Sequence, residues 1–170
     1  VILIFLVSLF AAPVVLAQVC VDCHKGVMPK VVADWQKERD KMVETCHRCH
    51  SVNFAKGELA KGDQMIKEAD SLMAEAIRIV ASLYKDGLLP KPQSYAHPFP
   101  ELLTFHDAPT VIEQKLFVMY LEHRMRTFRG TFHANPDYAF RYGWSEMQRN
   151  LTEIKTMAEE LRRDTKAKKK

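Results

Sequence analysis

The 170-residue sequence holds only six glycines and four cysteines. No glycine-rich loop stands where a nucleotide phosphate would need one, so the phosphate-cradling folds are excluded. No stretch alternates apolar and polar residues at a period of two, and nothing asks for a β-sheet. Charge of one sign is also scarce in the body of the chain. Residues 162–170 (RRDTKAKKK) carry six basic residues and one acid; taking them from the totals of 25 Lys+Arg and 21 Asp+Glu leaves 19 against 20. The formal net charge of +4 therefore belongs to the tail, and a near-neutral body offers no nucleic-acid face. The tail reads as a solvated, frayed terminus that could also dock on an acidic partner or an anionic membrane surface.

What is present begins with an apolar leader. Residues 1–17 (VILIFLVSLFAAPVVLA) end in a small residue and are too short for a comfortable membrane span, so they read as a signal peptide cleaved after Ala17. A periplasmic or extracellular location is the corollary. No Lys or Arg precedes Lys25, so the basic start usual for such a leader is missing. An uncleaved anchor is the alternative, with Pro13 and the short length against it.

All four cysteines fall in two Cys-x-x-Cys-His strings, Cys20-Val21-Asp22-Cys23-His24 and Cys46-His47-Arg48-Cys49-His50. Thiols three positions apart can add across the two vinyl groups of one haem, and the histidine after the second thiol lies under the iron as its proximal ligand. A zinc site or two disulfides would use the same thiols, but neither explains the trailing histidines. Two covalent haems c are expected, held by Cys20, Cys23 and His24 and by Cys46, Cys49 and His50. Motifs 26 residues apart in a small head further suggest closely spaced haems.

The remainder is helical in pattern. Apolar positions predict a helix over residues 31–42, with Trp35 packed on a haem, and a second over 63–85 about 35 Å long. Asp86-Gly87 supplies its stop. A proline-marked connection through Pro90, Pro92, Pro98, Pro100 and Pro109 carries His97 and His106, and connections this long are usually functional or held down. A third helix is expected from Pro109-Thr110, after Asp107 as cap, to Arg129, ended by Gly130. Asn135-Pro136-Asp137 reads as an N-cap, a first-turn proline and a favourable acid. From Phe140 onward, Trp144, Met147, Leu151, Ile154 and Leu161 form a bundle seam.

The expected architecture is all-α: a short dihaem-binding head followed by three long antiparallel helices. Its divisions are a signal peptide (1–17), a dihaem segment (18–60), a helical bundle (61–163) and a basic tail (164–170). Five histidines exceed the proximal pair: His47, His97, His106, His123 and His133. Any of them could be a second axial ligand, with Met28 and Met42 as alternatives. His47 stands apart because it lies between two haem-bearing thiols, from where it could reach the iron of the first haem. His123 and His133 bracket the end of the third helix, where a bundle could aim them at a haem.

Several ordered short motifs carry a family resemblance. Trp35, Glu38-Arg39 and Met42 leading into Cys46-His47-Arg48-Cys49-His50-Ser51, then Gly62-Asp63, resemble the approach to the last haem site of the octahaem hydroxylamine oxidoreductase family. Leu121-Glu122-His123-Arg124-Met125, Phe132-His133-Ala134-Asn135-Pro136-Asp137-Tyr138 and Tyr142-Gly143-Trp144 are similar to its C-terminal helical region. The resemblance covers most of residues 20–163. It implies a trimer in which a C-terminal tyrosine crosslinks to the catalytic haem of a neighbouring subunit, oxidising hydroxylamine or hydrazine; members without the crosslink run reductively. Tyr138 and Tyr142 are the candidates for that tyrosine, or they are haem-packing residues. The family carries eight haem motifs and this chain two.

Three functions stand as expectations. The first is an exported dihaem cytochrome passing electrons between redox partners, most naturally another multihaem cytochrome. The second is a subunit or fragment of a hydroxylamine-oxidoreductase-like enzyme acting on small nitrogen compounds such as hydroxylamine, hydrazine or nitrite. The third is a filament whose subunits exchange axial histidines.

Overall fold

The computed structural model describes residues 24–102, 108 and 110–168. Residues 1–17, Cys20, Cys23, His106, Asp107 and Pro109 lie outside the described residues. All regular structure among the described residues is helical. The chain divides at Ala55/Lys56 into two compact units.

In the first unit, residues 24–27 form a helical turn, closed by Met28 N–H donating to the His24 carbonyl at 2.7 Å. Met28 breaks the helical conformation (φ −138°, ψ 64°), and Pro29 restarts it. Proline suits a first helical position because its missing N–H would be unpaired there anyway. Helix α1 (Pro29–His47) outruns the expected 31–42 at both ends, and within it no glycine or later proline interrupts a run of good helix formers. It buries none of its residues. Its 19 residues span about 27 Å.

Helix α2 (Val52–Lys85) begins eleven residues before the expected Asp63. The Ser51 hydroxyl supplies the missed start signal, accepting from Phe54 N–H at 3.2 Å. In the second unit α2 ends as expected at Gly87, whose φ of +67° suits only glycine comfortably. Leu88 N–H donates to the Leu83 carbonyl and Gly87 N–H to that of Tyr84, which closes the last turn. The connection after it is pinned rather than free: Leu89, Tyr95 and Ala108 enter the core, and Lys91 Nζ donates to the Tyr95 carbonyl at 2.6 Å.

Two long rods complete the second unit. Helix α3 (Val111–Val118), a π-helical segment (Met119–Arg124) and helix α4 (Met125–Phe132) run on without a break. Helix α5 (Pro136–Tyr138), a second π-helical segment (Ala139–Trp144) and helix α6 (Ser145–Lys168) form the return rod. Thr110, not Asp107, caps α3, accepting from Glu113 N–H through its hydroxyl. Asn135 caps α5 as expected, its side chain accepting from Tyr138 N–H at 3.1 Å. The basic terminus, expected to fray from residue 162, is helical through Lys168.

Cross-links give the directions. Asp70 pairs with Arg124 (2.7 Å) while Tyr84 reaches Glu113, so the first rod runs antiparallel to α2. Glu75 pairs with Lys155 (2.6 Å) and Ser82 accepts from Arg162 (2.8 Å), so α6 runs parallel to α2. Val80, Leu83, Ile112, Leu116, Met119, Met147 and Ile154 fill the space between them. At one end Glu113 is fully buried, its carboxylate accepting from the Tyr84 and Thr110 hydroxyls. Burial, followed by this carboxylate, pushes the Tyr84 phenol well above its usual range.

Gly130 does not end the helix it was expected to end. A Cβ there would lie 2.5 Å from Ala139 N and 2.6 Å from Ala139 Cα, and one on Gly143 would collide with Thr127 N and Oγ1. The two glycines let the rods touch backbone to backbone beside their turn. The turn itself places Ala134 at φ 52°, with Asn135 N–H donating to the Gly130 carbonyl at 2.8 Å, a position where glycine is usual. Inside this crossing His123 is 8% exposed. Its Nδ1 has no partner and its other ring nitrogen meets the Tyr142 backbone. Burial, aided by Arg126, holds its pKa below the ordinary 6.5, against Glu146, Glu122 and the Tyr142 backbone.

Three outcomes are expected for stability in denaturant unfolding. Gly143→Ala should lower it by about 1–3 kcal/mol, because the methyl group meets backbone that cannot yield. Ala134→Gly should raise it by about 1 kcal/mol by relieving the left-handed conformation. His123 is neutral in both states well above pH 6.5; as pH falls through that value the unfolded chain binds a proton that the folded one resists, and stability declines. His123→Gln should flatten this decline as pH falls below about 6.5, and an unchanged slope would assign the acid sensitivity elsewhere.

Candidate haem-binding site

The second Cys-x-x-Cys-His string sits where α1 gives way to α2. The Cys46 carbonyl accepts from both Cys49 N–H (3.2 Å) and His50 N–H (2.9 Å), so the chain continues in helical turns past the end of α1. That places Cys49 and His50 one turn beyond Cys46, on the same side. Both thiols are free and exposed, and the exposed His50 ring packs on Phe54 with centroids 4.8 Å apart. Trp35, Arg39, Met42 and Cys46 succeed one another at intervals of four, three and four and share one face of α1, with the Arg39 guanidinium 4.9 Å from the Trp35 ring centre.

Two thiols and an imidazole on one side fit the attachment chemistry of a c-type haem. The surroundings fit as well. Trp35 is 48% exposed and Phe54 50%, large apolar side chains that the unit itself leaves uncovered and that a porphyrin would cover. When bound, such a group supplies one-electron chemistry. His24, at the start of the same unit, is exposed in the same way.

The spare histidines are dispersed. His47 is exposed, with its Nδ1 3.1 Å from the His50 carbonyl oxygen. His97 is exposed in the long connection and stacks on Phe99 at 5.1 Å. His133 is exposed at the end of α4, edge-on to Phe132 at 5.5 Å. His123 is packed inside the rod crossing, with its Nδ1 buried. Tyr138 (36% exposed) and Tyr142 (54%) stand side by side on the outside of the return rod, ring centres 5.4 Å apart.

His24 lies one turn before α1 and Cys46, Cys49 and His50 lie at its far end, about 27 Å along a straight helix. Among the described residues the two motif histidines His24 and His50 thus flank α1, while Cys20 and Cys23 lie outside them. Sequence reasoning also missed the Thr127, Gly130, Ala139 and Gly143 contact and the Tyr84–Glu113 pair. The signal for the contact was a glycine inside Tyr142-Gly143-Trp144, amid a pattern that reads as helix. Nothing in the periodicity distinguished Glu113 from the solvent-facing acids.

The matches to known proteins agree with the haem motifs and the helical fold. A family model described as "Seven times multi-haem cytochrome CxxCH" matches residues 16–97. A probable nitrite reductase-hydroxylamine oxidoreductase fusion protein of Kuenenia stuttgartiensis is 26% identical over 171 aligned positions, covering 77% of this chain and 20% of that protein. A solved chain from the Kuenenia stuttgartiensis reducing HAO-like protein complex Kustc0457/Kustc0458 superposes with a TM-score of 0.64 at 25% identity, covering 75% of this chain and 33% of that one. The chain thus spans a fifth of the first and a third of the second. Motif, helical fold and both matches converge: residues 16–97 match a multihaem c-type cytochrome family, and the chain is similar to hydroxylamine-oxidoreductase-like proteins.

Proposed function

We propose that the chain is an exported dihaem c-type cytochrome that passes electrons between redox partners as one module of a larger multihaem assembly. Cys20, Cys23 and His24 hold one haem, and Cys46, Cys49 and His50 the other. The observation that carries the reading is the placement of the second motif. It lies on an exposed turn beside uncovered apolar side chains, at the far end of a helix that buries none of its residues. A helix with no covered face, flanked by attachment motifs, is half of a structure.

The separation of the motifs calls for further haems nearby. Electron tunnelling falls off exponentially with distance, so haems at opposite ends of a rod about 27 Å long exchange electrons well only through others between or beside them. A multihaem partner supplies those. The name of the structural relative, a complex of two proteins, supports the same view.

A second reading, part of an enzyme acting on small nitrogen compounds, is favoured by one specific feature. Tyr138 and Tyr142 are exposed together on the return rod, accessible to a haem carried by another molecule. In that reading the substrate-binding haem belongs to the companion chain.

The holo-protein should contain two covalently bound haems per chain, counted by pyridine haemochrome absorbance and intact mass. Replacing Cys20 and Cys23 together by serine should remove one haem, and replacing Cys46 and Cys49 together should remove the other. A chain with fewer than two haems would overturn the assignment. A native mass matching the lone chain, with no multihaem protein co-purifying, would overturn the assembly.

A further inference from the structure

We infer that Phe54 is a positioning residue that sets the plane of the His50 imidazole as a haem ligand. The inference rests on the reading of Cys46, Cys49 and His50 as a haem site. It begins from a contact inside the first unit: the His50 and Phe54 rings lie with centroids 4.8 Å apart and planes inclined at 31°. That separation falls in the range where aromatic rings attract one another in offset or tilted packing.

The backbone holds both rings at their roots. His50 N–H donates to the Cys46 carbonyl at 2.9 Å, which closes the motif as a helical turn. Ser51 follows at once, its hydroxyl accepting from Phe54 N–H at 3.2 Å and its carbonyl from Ala55 N–H at 3.0 Å. Helix α2 therefore starts immediately after the motif, and Phe54 stands four residues beyond His50, one turn onward on the same side.

What is left to orient the imidazole is its own rotation about χ1 and χ2. In most metal sites the ring nitrogen turned away from the metal donates to a carbonyl or carboxylate, and that bond holds the ring. Among the described residues no hydrogen bond reaches the His50 ring, and the His50 carbonyl is engaged by His47 Nδ1 at 3.1 Å. The contact the ring does make is with Phe54. A flat ring against the imidazole restricts its rotation without occupying either nitrogen. An aliphatic side chain of similar bulk would cover the same surface but impose no plane. The orientation of an axial imidazole governs the g-anisotropy of a ferric low-spin iron and contributes to its reduction potential, so the contact has a spectroscopic consequence.

The test uses the holo-protein with three changes: Phe54→Leu, Phe54→Tyr, and Cys46→Ser with Cys49→Ser. The double cysteine variant should lack one haem, and the ferric electron paramagnetic resonance signal it loses identifies the haem in question. If it loses none, the haem assignment itself has failed and the inference falls with it. Phe54 is half-exposed, so both of its variants should fold and carry the full haem complement. In Phe54→Leu the identified signal should shift in its g values and broaden, and the midpoint potential of that haem, followed by spectroelectrochemical titration, should move. Phe54→Tyr keeps the flat ring and should match the wild type in both. The inference is overturned if the Phe54→Leu signal equals that of the wild type, or if Phe54→Tyr is perturbed as much as Phe54→Leu. Loss of the haem from Phe54→Leu would also overturn it, because the ring would then serve attachment rather than orientation.

Discussion

Backbone contact between the two rods beside their turn is the constraint on which the bundle depends. Gly130 against Ala139 and Gly143 against Thr127 leave no room for even a methyl group, so the rods meet at a separation ordinary side chains would forbid. Both rods carry a π-helical segment at this level, Met119–Arg124 in one and Ala139–Trp144 in the other. A π turn inserts a residue and rotates the helix beyond it, which lets small residues stay at the contact while larger ones are carried outward. Phe128, Phe132, Phe140 and Tyr142 are exposed around the turn, and His123 is enclosed.

The same contact explains the distribution of polar groups. His123 Nδ1 and Trp144 Nε1 are buried without partners, a concentration of unsatisfied donors and acceptors at one level of the bundle. At the other end the buried Glu113 is fully provided for, with Tyr84 and Thr110 donating to it. At that end the buried carboxylate is thus satisfied. The other holds a strained turn at Ala134, partnerless buried atoms and an aromatic surface facing outward.

The first unit is organised on another principle. Its helix has no buried residue, and its apolar side chains surround an attachment motif. A protein of this kind acquires its core from its cofactor, and the fold of the polypeptide chiefly sets how far apart the attachment points stand.

Much was legible without coordinates because it depends on neighbours in the chain. The Cys-x-x-Cys-His strings declare covalent haem chemistry through spacing alone; Gly87 ends α2 and Asn135 caps α5 through local hydrogen bonds. The apolar seam of Met147, Leu151 and Ile154 marks a helix at its own period. Ser51 as a helix start, Glu113 as a buried acid and Gly130 as a contact rather than a stop were not legible, because each is defined by what lies across from it or by how far an element propagates. The sequence by itself determined the cofactor chemistry and the all-helical class, since both are written in intervals of three and four residues. Only the tertiary structure decided that His123 is enclosed and that Tyr138 and Tyr142 face outward, because burial arises from packing between residues remote in the chain.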